Sequence, residues 1–121
     1  MTITYAVTIN GATTTSHQQE FQDKYPTAFK HYQFLCKLKK ITAGKPVILN
    51  DKENQILLLP VYDNELNSKA IKDCIKYIQQ WHNDLDIKEI RFQKFDDDSW
   101  NETKQLIHEY LKDEDIKIEM E

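Results

Sequence analysis

The 121 residues suit a single domain, and the chain is long enough to bury a core without disulfides or a structural metal. Hydrophobic residues make up 40% and charged residues 30%, which is a globular composition and not that of a disordered chain. The net charge is −4 and Arg91 is the only arginine, whereas a general nucleic-acid binder needs a basic surface. We therefore expect one domain over residues 1–121 that does not bind nucleic acids in general.

Charge is divided unevenly along the chain. Residues 1–60 carry seven lysines against four carboxylates, whereas residues 61–121 carry nine basic against sixteen acidic groups. The basic half permits an anionic ligand, although a solvated surface is the commoner meaning of such a pattern.

Cysteine usage and the N-terminus indicate the compartment. Cys36 and Cys74 lack the spacing of a metal site, so we expect two buried, reduced thiols. No basic residue precedes Lys24, as a signal peptide would require, and no apolar run is long enough to cross a membrane. We expect a soluble cytoplasmic protein.

Hydrophobic periodicity in the first half predicts a strand, two helices and a hairpin. The strand alternates from Ile3 to Ile9 and ends at Asn10-Gly11, which opens a loop. A short helix over residues 17–24 precedes a second helix with Pro26 in its first turn, Leu38 on its apolar face and Gly44 as its end. Two apolar segments joined by a polar turn then form the hairpin: Val47–Leu49 and Ile56–Val61.

The second half alternates helices with strands. Asn67 or Ser68 caps a helix that places Trp81 on its core face, and a strand follows over Ile87–Phe92. A Ser99–Glu102 capping box opens the last helix, and a short final strand follows it. The alternation implies βαβ crossovers, so we predict a three-layer α/β/α sandwich with a mixed, mostly parallel sheet.

Few polar residues stand out as site candidates on their own. Asn10 ends a strand where open α/β sheets hold ligands, although a plain turn is the commoner meaning of Asn-Gly. The Asp96–Asp98 run fits the start of a helix better than a metal site. We expect all four histidines at the surface, and both tryptophans in the core.

Three stretches resemble the macrodomain family of ADP-ribose-binding modules, and their order and spacing cover nearly the whole chain. The first is Ala6-Val-Thr-Ile-Asn10-Gly11, followed by Glu20-Phe-Gln-Asp-Lys-Tyr25-Pro26, Tyr32 and Cys36. The second is Gly44-Lys-Pro-Val-Ile-Leu49, then Ile56-Leu-Leu-Leu59 and the helix after Ser68. The third is Ile90-Arg-Phe-Gln, Trp100 and Ile107-His-Glu-Tyr-Leu111. The resemblance is closest to the terminal ADP-ribose glycohydrolase subgroup.

The resemblance also implies departures from the family pattern. The family's first strands have no counterpart before Met1, which implies an N-terminally truncated macrodomain. Its two glycine-rich phosphate loops correspond to Thr13–Ser16 and Lys94–Asp98, which contain no glycine to let backbone N–H groups approach phosphate. Tyr62 stands near the place of the nucleophilic lysine. The implied ligand-binding residues are Asn10, Gly11, Thr14, Ser16, Tyr62 and Asp98.

These departures favour a catalytically inactive macrodomain-like module that acts through protein interaction. Its partner would be another protein or a second copy of the chain, paired at an exposed strand edge. No catalytic residue, cofactor or metal is implied. The alternative is weak binding of ADP-ribose or a nucleotide-like ligand, or residual ADP-ribosyl hydrolase activity.

Overall fold

A five-stranded sheet forms the middle layer of the fold in the computed structural model, which describes all 121 residues. In chain order the elements are β1 (Thr2–Thr8), α1 (Ser16–Lys24), α2 (Pro26–Lys37), β2 (Val47–Asp51), β3 (Asn54–Tyr62), α3 (Ser68–Trp81), β4 (Glu89–Phe92), α4 (Trp100–Leu111) and β5 (Lys117–Met120). The strand order is β2-β3-β1-β4-β5, with only β2 antiparallel to its neighbour. The predicted element order, the hairpin and the mostly parallel sheet are confirmed.

Helices cover both faces of the sheet because side chains alternate along its strands. Tyr5 and Val7 point into a core cluster under α1 and α2, whereas the intervening Ala6 belongs to a second cluster under α3 and α4. Cys36 and Cys74 are both buried and free, as predicted, and they lie in different clusters on opposite sides of the sheet. None of the helices combines the length and apolar character needed to cross a bilayer.

The end of α2 differs from the prediction. Gly44 does not end this helix, which stops at Lys37. Lys39 adopts the left-handed conformation with φ +56°, and the N–H of Lys40 donates to the carbonyl of Leu35 at 2.9 Å. This is the Schellman arrangement, built here without its usual glycine. Leu38, predicted on the apolar face, therefore lies beyond the helix and is 50% exposed.

Two further predictions about helix residues are wrong. Ser99 does not form a capping box, because its hydroxyl donates to Asp96 Oδ2 at 2.6 Å. Trp81 is 39% exposed, because the buried stripe of α3 continues from Ile78 to His82 instead. The stripe therefore follows the four-residue step of a helix and buries a histidine in place of the tryptophan.

Asp51 supplies the N-terminal cap that α2 lacks in its own sequence. Tyr25 makes no side-chain cap, while Asp51 at the end of β2 is 5% exposed and accepts the N–H of Ala28 at 3.1 Å. We expect Asp51→Ala to lower the free energy of unfolding by about 1–2 kcal/mol, because a buried helix-terminal N–H loses its acceptor.

Urea denaturation measures this cost. Glu53→Ala, in the exposed turn two residues away, is the control and should stay within ~0.5 kcal/mol of wild type. Equal effects of the two substitutions would contradict the capping role.

Candidate functional site

The carboxyl ends of β1, β3, β4 and β5 meet at one edge of the sheet, since these four strands are parallel. The chain leaves β1 toward α1 on one face and leaves β4 toward α4 on the other. Such a divergence of connections is a topological switch point, where open α/β sheets bind ligands. The gap between the ends of β1 and β4, here called the β1–β4 crevice, is therefore the candidate site.

Side chains of the protein itself fill this crevice. Backbone pairing between β1 and β4 covers only Thr2 and Ile3. Beyond it, Gln93 Nε2 donates to the carbonyl of Thr4 at 2.8 Å, and the N–H of Ala6 donates to His17 Nε2 at 2.9 Å. The two side chains take the place of the missing strand pairing, so the polar backbone of β1 is satisfied without a ligand.

His17 is half-buried at the edge of the core and neutral, whereas the sequence predicted a surface position for it. Its ring lies 5.1 Å from that of Tyr5 and 6.2 Å from that of Phe95, measured between centroids. Burial lowers the pKa of His17 to about 4, although the charge of Glu20 acts in the other direction. Since Nε2 accepts a hydrogen bond, the single proton of the neutral ring lies on Nδ1.

The loop between β1 and α1 is stabilised by side chains at the positions implied for phosphate binding. Asn10 Oδ1 accepts the N–H of Ala12 at 2.9 Å. Gln18 is buried and its Oε1 accepts both the N–H of Thr14 at 2.6 Å and the Thr14 hydroxyl at 3.1 Å. Gly11 has φ +85°, which explains a glycine there. Two backbone donors of the loop are thus already occupied.

The loop between β4 and α4 carries the acidic run. Asp96 Oδ2 accepts the N–H of Ser99 at 2.9 Å, and Asp97 forms an ion pair with Lys94 at 2.7 Å. Asp98 is exposed and has no polar partner within the protein. The acidic run therefore lies at the start of α4, as predicted, but Asp96 makes the hydrogen bond there and not Asp97 or Asp98, to which the prediction gave this role.

Tyr62 lies at the end of β3 and reaches the same loop. Its hydroxyl donates to the carbonyl of Phe95 at 3.3 Å, and burial raises the pKa of Tyr62, with the charge of Asp96 acting in the same direction. A phenol in this setting is a hydrogen-bond donor at neutral pH and does not serve as a base.

A shallow cleft of about 270 Å³ lies outside the filled crevice. Its lining residues are Ser16, His17, Glu20, Gln93, Lys94 and Glu121. An adjoining depression of about 260 Å³ adds the carboxylates of Asp96 and Asp97. Lys94 is thus the only lysine among four carboxylates, and no group of side chains has the arrangement of a metal site.

The six residues implied by the resemblance do not form one cluster. Ser16 lines the cleft, but the other five do not, and the hydroxyl of Tyr62 is hydrogen-bonded to the carbonyl of Phe95. The sequence analysis missed the residues that fill the site: His17, Gln18 and Gln93. Their positions directly after a strand-to-helix loop or at a strand end were the available signal, since such positions face the carboxyl edge of the sheet.

Comparison with known proteins identifies the fold. No family model and no curated protein matches the sequence. Among solved structures, the Thermus aquaticus DarG macrodomain superposes with a TM-score of 0.85 at 15% identity, covering 98% of this chain and 87% of that one. The Mycobacterium tuberculosis DarG macrodomain gives 0.85 at 16% identity, with 98% and 86% covered. Thermosipho africanus DarTG, solved in complex with ADP-ribose, gives 0.85 at 19% identity, with 98% and 37% covered. This chain has the macrodomain fold, as the order of its sequence motifs predicted.

Proposed function

We propose that this protein is a non-catalytic module with the macrodomain fold that acts by binding another protein. The observation that supports this most is the filled β1–β4 crevice. A ligand that entered between the strands would have to displace His17 from Ala6 and Gln93 from Thr4. Leaving each buried backbone group unpaired costs about 1–3 kcal/mol.

The charge around the cleft also disfavours a diphosphate. Glu20, Asp96, Asp97 and Glu121 surround Lys94, whose ammonium is already paired with Asp97. Each phosphate–carboxylate pair at 4 Å costs about 1 kcal/mol in water and more where water is excluded. The net negative charge around the cleft therefore repels a diphosphate ligand such as ADP-ribose.

Neither His17 nor Tyr62 is suited to activate a nucleophile at neutral pH. The acceptor nitrogen of His17 is bonded to Ala6, and its lowered pKa makes it a weak base. The pKa of Tyr62 is raised, so its hydroxyl keeps its proton. General-base catalysis requires an acceptor with a pKa near the working pH, which neither residue supplies.

Weak binding of a small nucleotide-like anion is the second candidate. The cleft holds the hydroxyl of Ser16 and the ammonium of Lys94, and the imidazole of His17 lines it. A neighbour with the same fold, Thermosipho africanus DarTG, was solved in complex with ADP-ribose. Such a ligand would have to lie outside the crevice, on the open side of His17.

Titration with ADP-ribose, followed by calorimetry and thermal shift, tests the proposal. We expect no heat of binding and no shift at millimolar ligand, although a ligand at a hundred times its Kd would stabilise the fold by about 2.7 kcal/mol. Binding that is lost in Lys94→Ala but kept in the control Lys104→Ala on α4 would establish the second candidate instead.

A single-turnover assay on mono-ADP-ribosylated protein tests the absence of catalysis. We expect no release of ADP-ribose above the rate without protein, because neither His17 nor Tyr62 readily accepts a proton at neutral pH. If wild type releases ADP-ribose and this activity is lost in Tyr62→Phe or Asp98→Asn, but not in Asp113→Asn, the proposal of a non-catalytic module is wrong.

A further inference from the structure

The outward side of α2 carries an apolar pair between lysines. The α2 stripe consists of Lys30, Phe34 and Lys37 of α2 together with Leu38, the residue that follows its last turn. Their spacing of i, i+4, i+7 and i+8 aligns them along one side. Phe34 is 57% exposed and Leu38 50% exposed, and no other large hydrophobic residue in the chain is more exposed. The stripe therefore presents a ring and an aliphatic side chain side by side to solvent.

The core does not require these two side chains. α2 packs on the sheet through a different side of the helix, formed by the buried residues Ala28, Phe29, Tyr32 and Cys36. Leu35 is partly buried against this cluster, but Phe34 and Leu38 are not part of it. Single exposed hydrophobic residues are ordinary, whereas adjacent ones that leave the core unfilled point to a surface that a partner covers.

Uncompensated positive charge surrounds the apolar pair. From residue 25 to residue 50 the sequence has five lysines and no carboxylate. None of the four lysines at residues 30, 37, 39 and 40 forms an ion pair, and this segment holds no carboxylate of its own that could pair with them. The positive field of this patch is available to a partner of the opposite sign.

We propose that the α2 stripe docks an acidic polypeptide segment whose apolar side chains cover Phe34 and Leu38. The proposal rests on the proposed function, since it names the surface and the chemistry of the partner. Apolar side chains at positions i, i+3 and i+4 of an amphipathic helix would cover Phe34 and Leu38. Glutamates that flank them would lie against Lys30 and Lys37. Electrostatic complementarity would set orientation and association rate, while burial of Phe34 would supply affinity.

A nucleic acid and a second copy of this chain fit the stripe less well. The only arginine, Arg91, is paired with Glu119 on β5 and is absent from the patch, although arginine is the preferred reader of phosphate and guanine. A second copy would have to bring its acidic C-terminal half against α2, and such a head-to-tail contact continues into filaments unless it closes into a ring.

The test uses a 16-residue helical peptide with leucine at one face and glutamate elsewhere, titrated into the full chain. We expect chemical-shift changes at the amides of residues 30–40, and at least a ~10-fold weaker affinity in the double variant Lys30→Glu/Lys37→Glu. The matched control, Lys72→Glu/Lys76→Glu on α3, makes the same change in net charge and should bind as wild type. A peptide with serine in place of leucine should bind more weakly, as should the variant Phe34→Ser.

Several outcomes would overturn the proposal. Equal losses in the two double variants would mean binding by net charge alone. Tighter binding of a 16-nucleotide single strand than of the peptide would assign the stripe to nucleic acid. A sedimenting oligomer that Lys30→Glu/Lys37→Glu dissociates would assign it to a second copy. If the peptide induces no chemical-shift change, the α2 stripe is not its docking surface, but the proposed function is unaffected. If ADP-ribose changes the amide shifts of Ser16 and Lys94, the proposed function is wrong.

Discussion

Phe21→Ala is expected to lower the free energy of unfolding by about 3–5 kcal/mol, the cost of truncating a fully buried aromatic ring. Phe21 has no exposed surface and is the only buried apolar residue of α1. Its ring centroid lies 5.0 Å from that of Tyr5, 5.3 Å from that of Phe29 and 6.0 Å from that of Tyr32. Removing it leaves a cavity among three aromatic rings and takes away the only buried apolar contact between α1 and the core.

Urea denaturation of Phe21→Ala beside Phe34→Ala measures the effect with a matched control. Both substitutions remove a phenyl ring from a helix, but Phe34 is 57% exposed and its truncation should change stability by no more than ~0.5 kcal/mol. Domains of this size have total stabilities of about 5–15 kcal/mol, so the Phe21 variant should also melt far below wild type. A loss for Phe21→Ala below ~1 kcal/mol would contradict the packing described here.

Much of the fold was predictable because it depends on local signals. The alternation from Ile3 to Ile9, the proline at the first position of α2 and the asparagine before α3 each specify one element through backbone physics that needs no tertiary contact. The order of these elements then restricts the sheet to few topologies, since crossover connections between parallel strands are right-handed and usually short.

The wrong predictions share a cause, which is competition from residues close in space. Ser99 and Glu102 have the spacing of a capping box, but the hydroxyl of Ser99 donates to Asp96 and does not cap the helix. Gly44 has the right identity for a helix end, but the chain reverses earlier at Lys39, in a conformation that lysine adopts only when its surroundings fix it. Trp81 is large and apolar, but His82 lies closer to the axis of the buried stripe.

The candidate site was less predictable than the fold. The resemblance drew attention to residues that hold phosphate in other chains, while the crevice depends on His17 and Gln93 reaching the backbone of β1 across 11 and 89 residues of sequence. Gln18 likewise reaches the backbone, because its side chain accepts the N–H of Thr14 in the loop between β1 and α1. A polar side chain that replaces a ligand leaves no periodic pattern, so only the three-dimensional arrangement reveals it.

Stability should fall as the pH is lowered from about 6.5 to about 4, because the half-buried His17 is held in its neutral form. Burial lowers the pKa of His17 to about 4, whereas the unfolded chain has the ordinary value near 6.5. Between these values the unfolded state binds a proton that the folded state does not, so the free energy of unfolding decreases with decreasing pH. The stabilisation is fully present above pH ~6.5 and its loss is complete below pH ~4, with a total of about 3 kcal/mol.

His17→Gln isolates this contribution, since a glutamine can still accept the N–H of Ala6 through its amide oxygen but does not titrate. As the pH falls from 6.5 to 4, wild type should lose stability relative to His17→Gln, so the denaturant midpoints of the two proteins should converge. His108→Gln, which replaces an exposed histidine on α4, should follow the wild-type curve. Parallel curves for wild type and His17→Gln between pH 6.5 and 4 would mean that the imidazole is solvated in the folded chain. The β1–β4 crevice would then be open to a ligand, and the main support for a non-catalytic, protein-binding role would be lost.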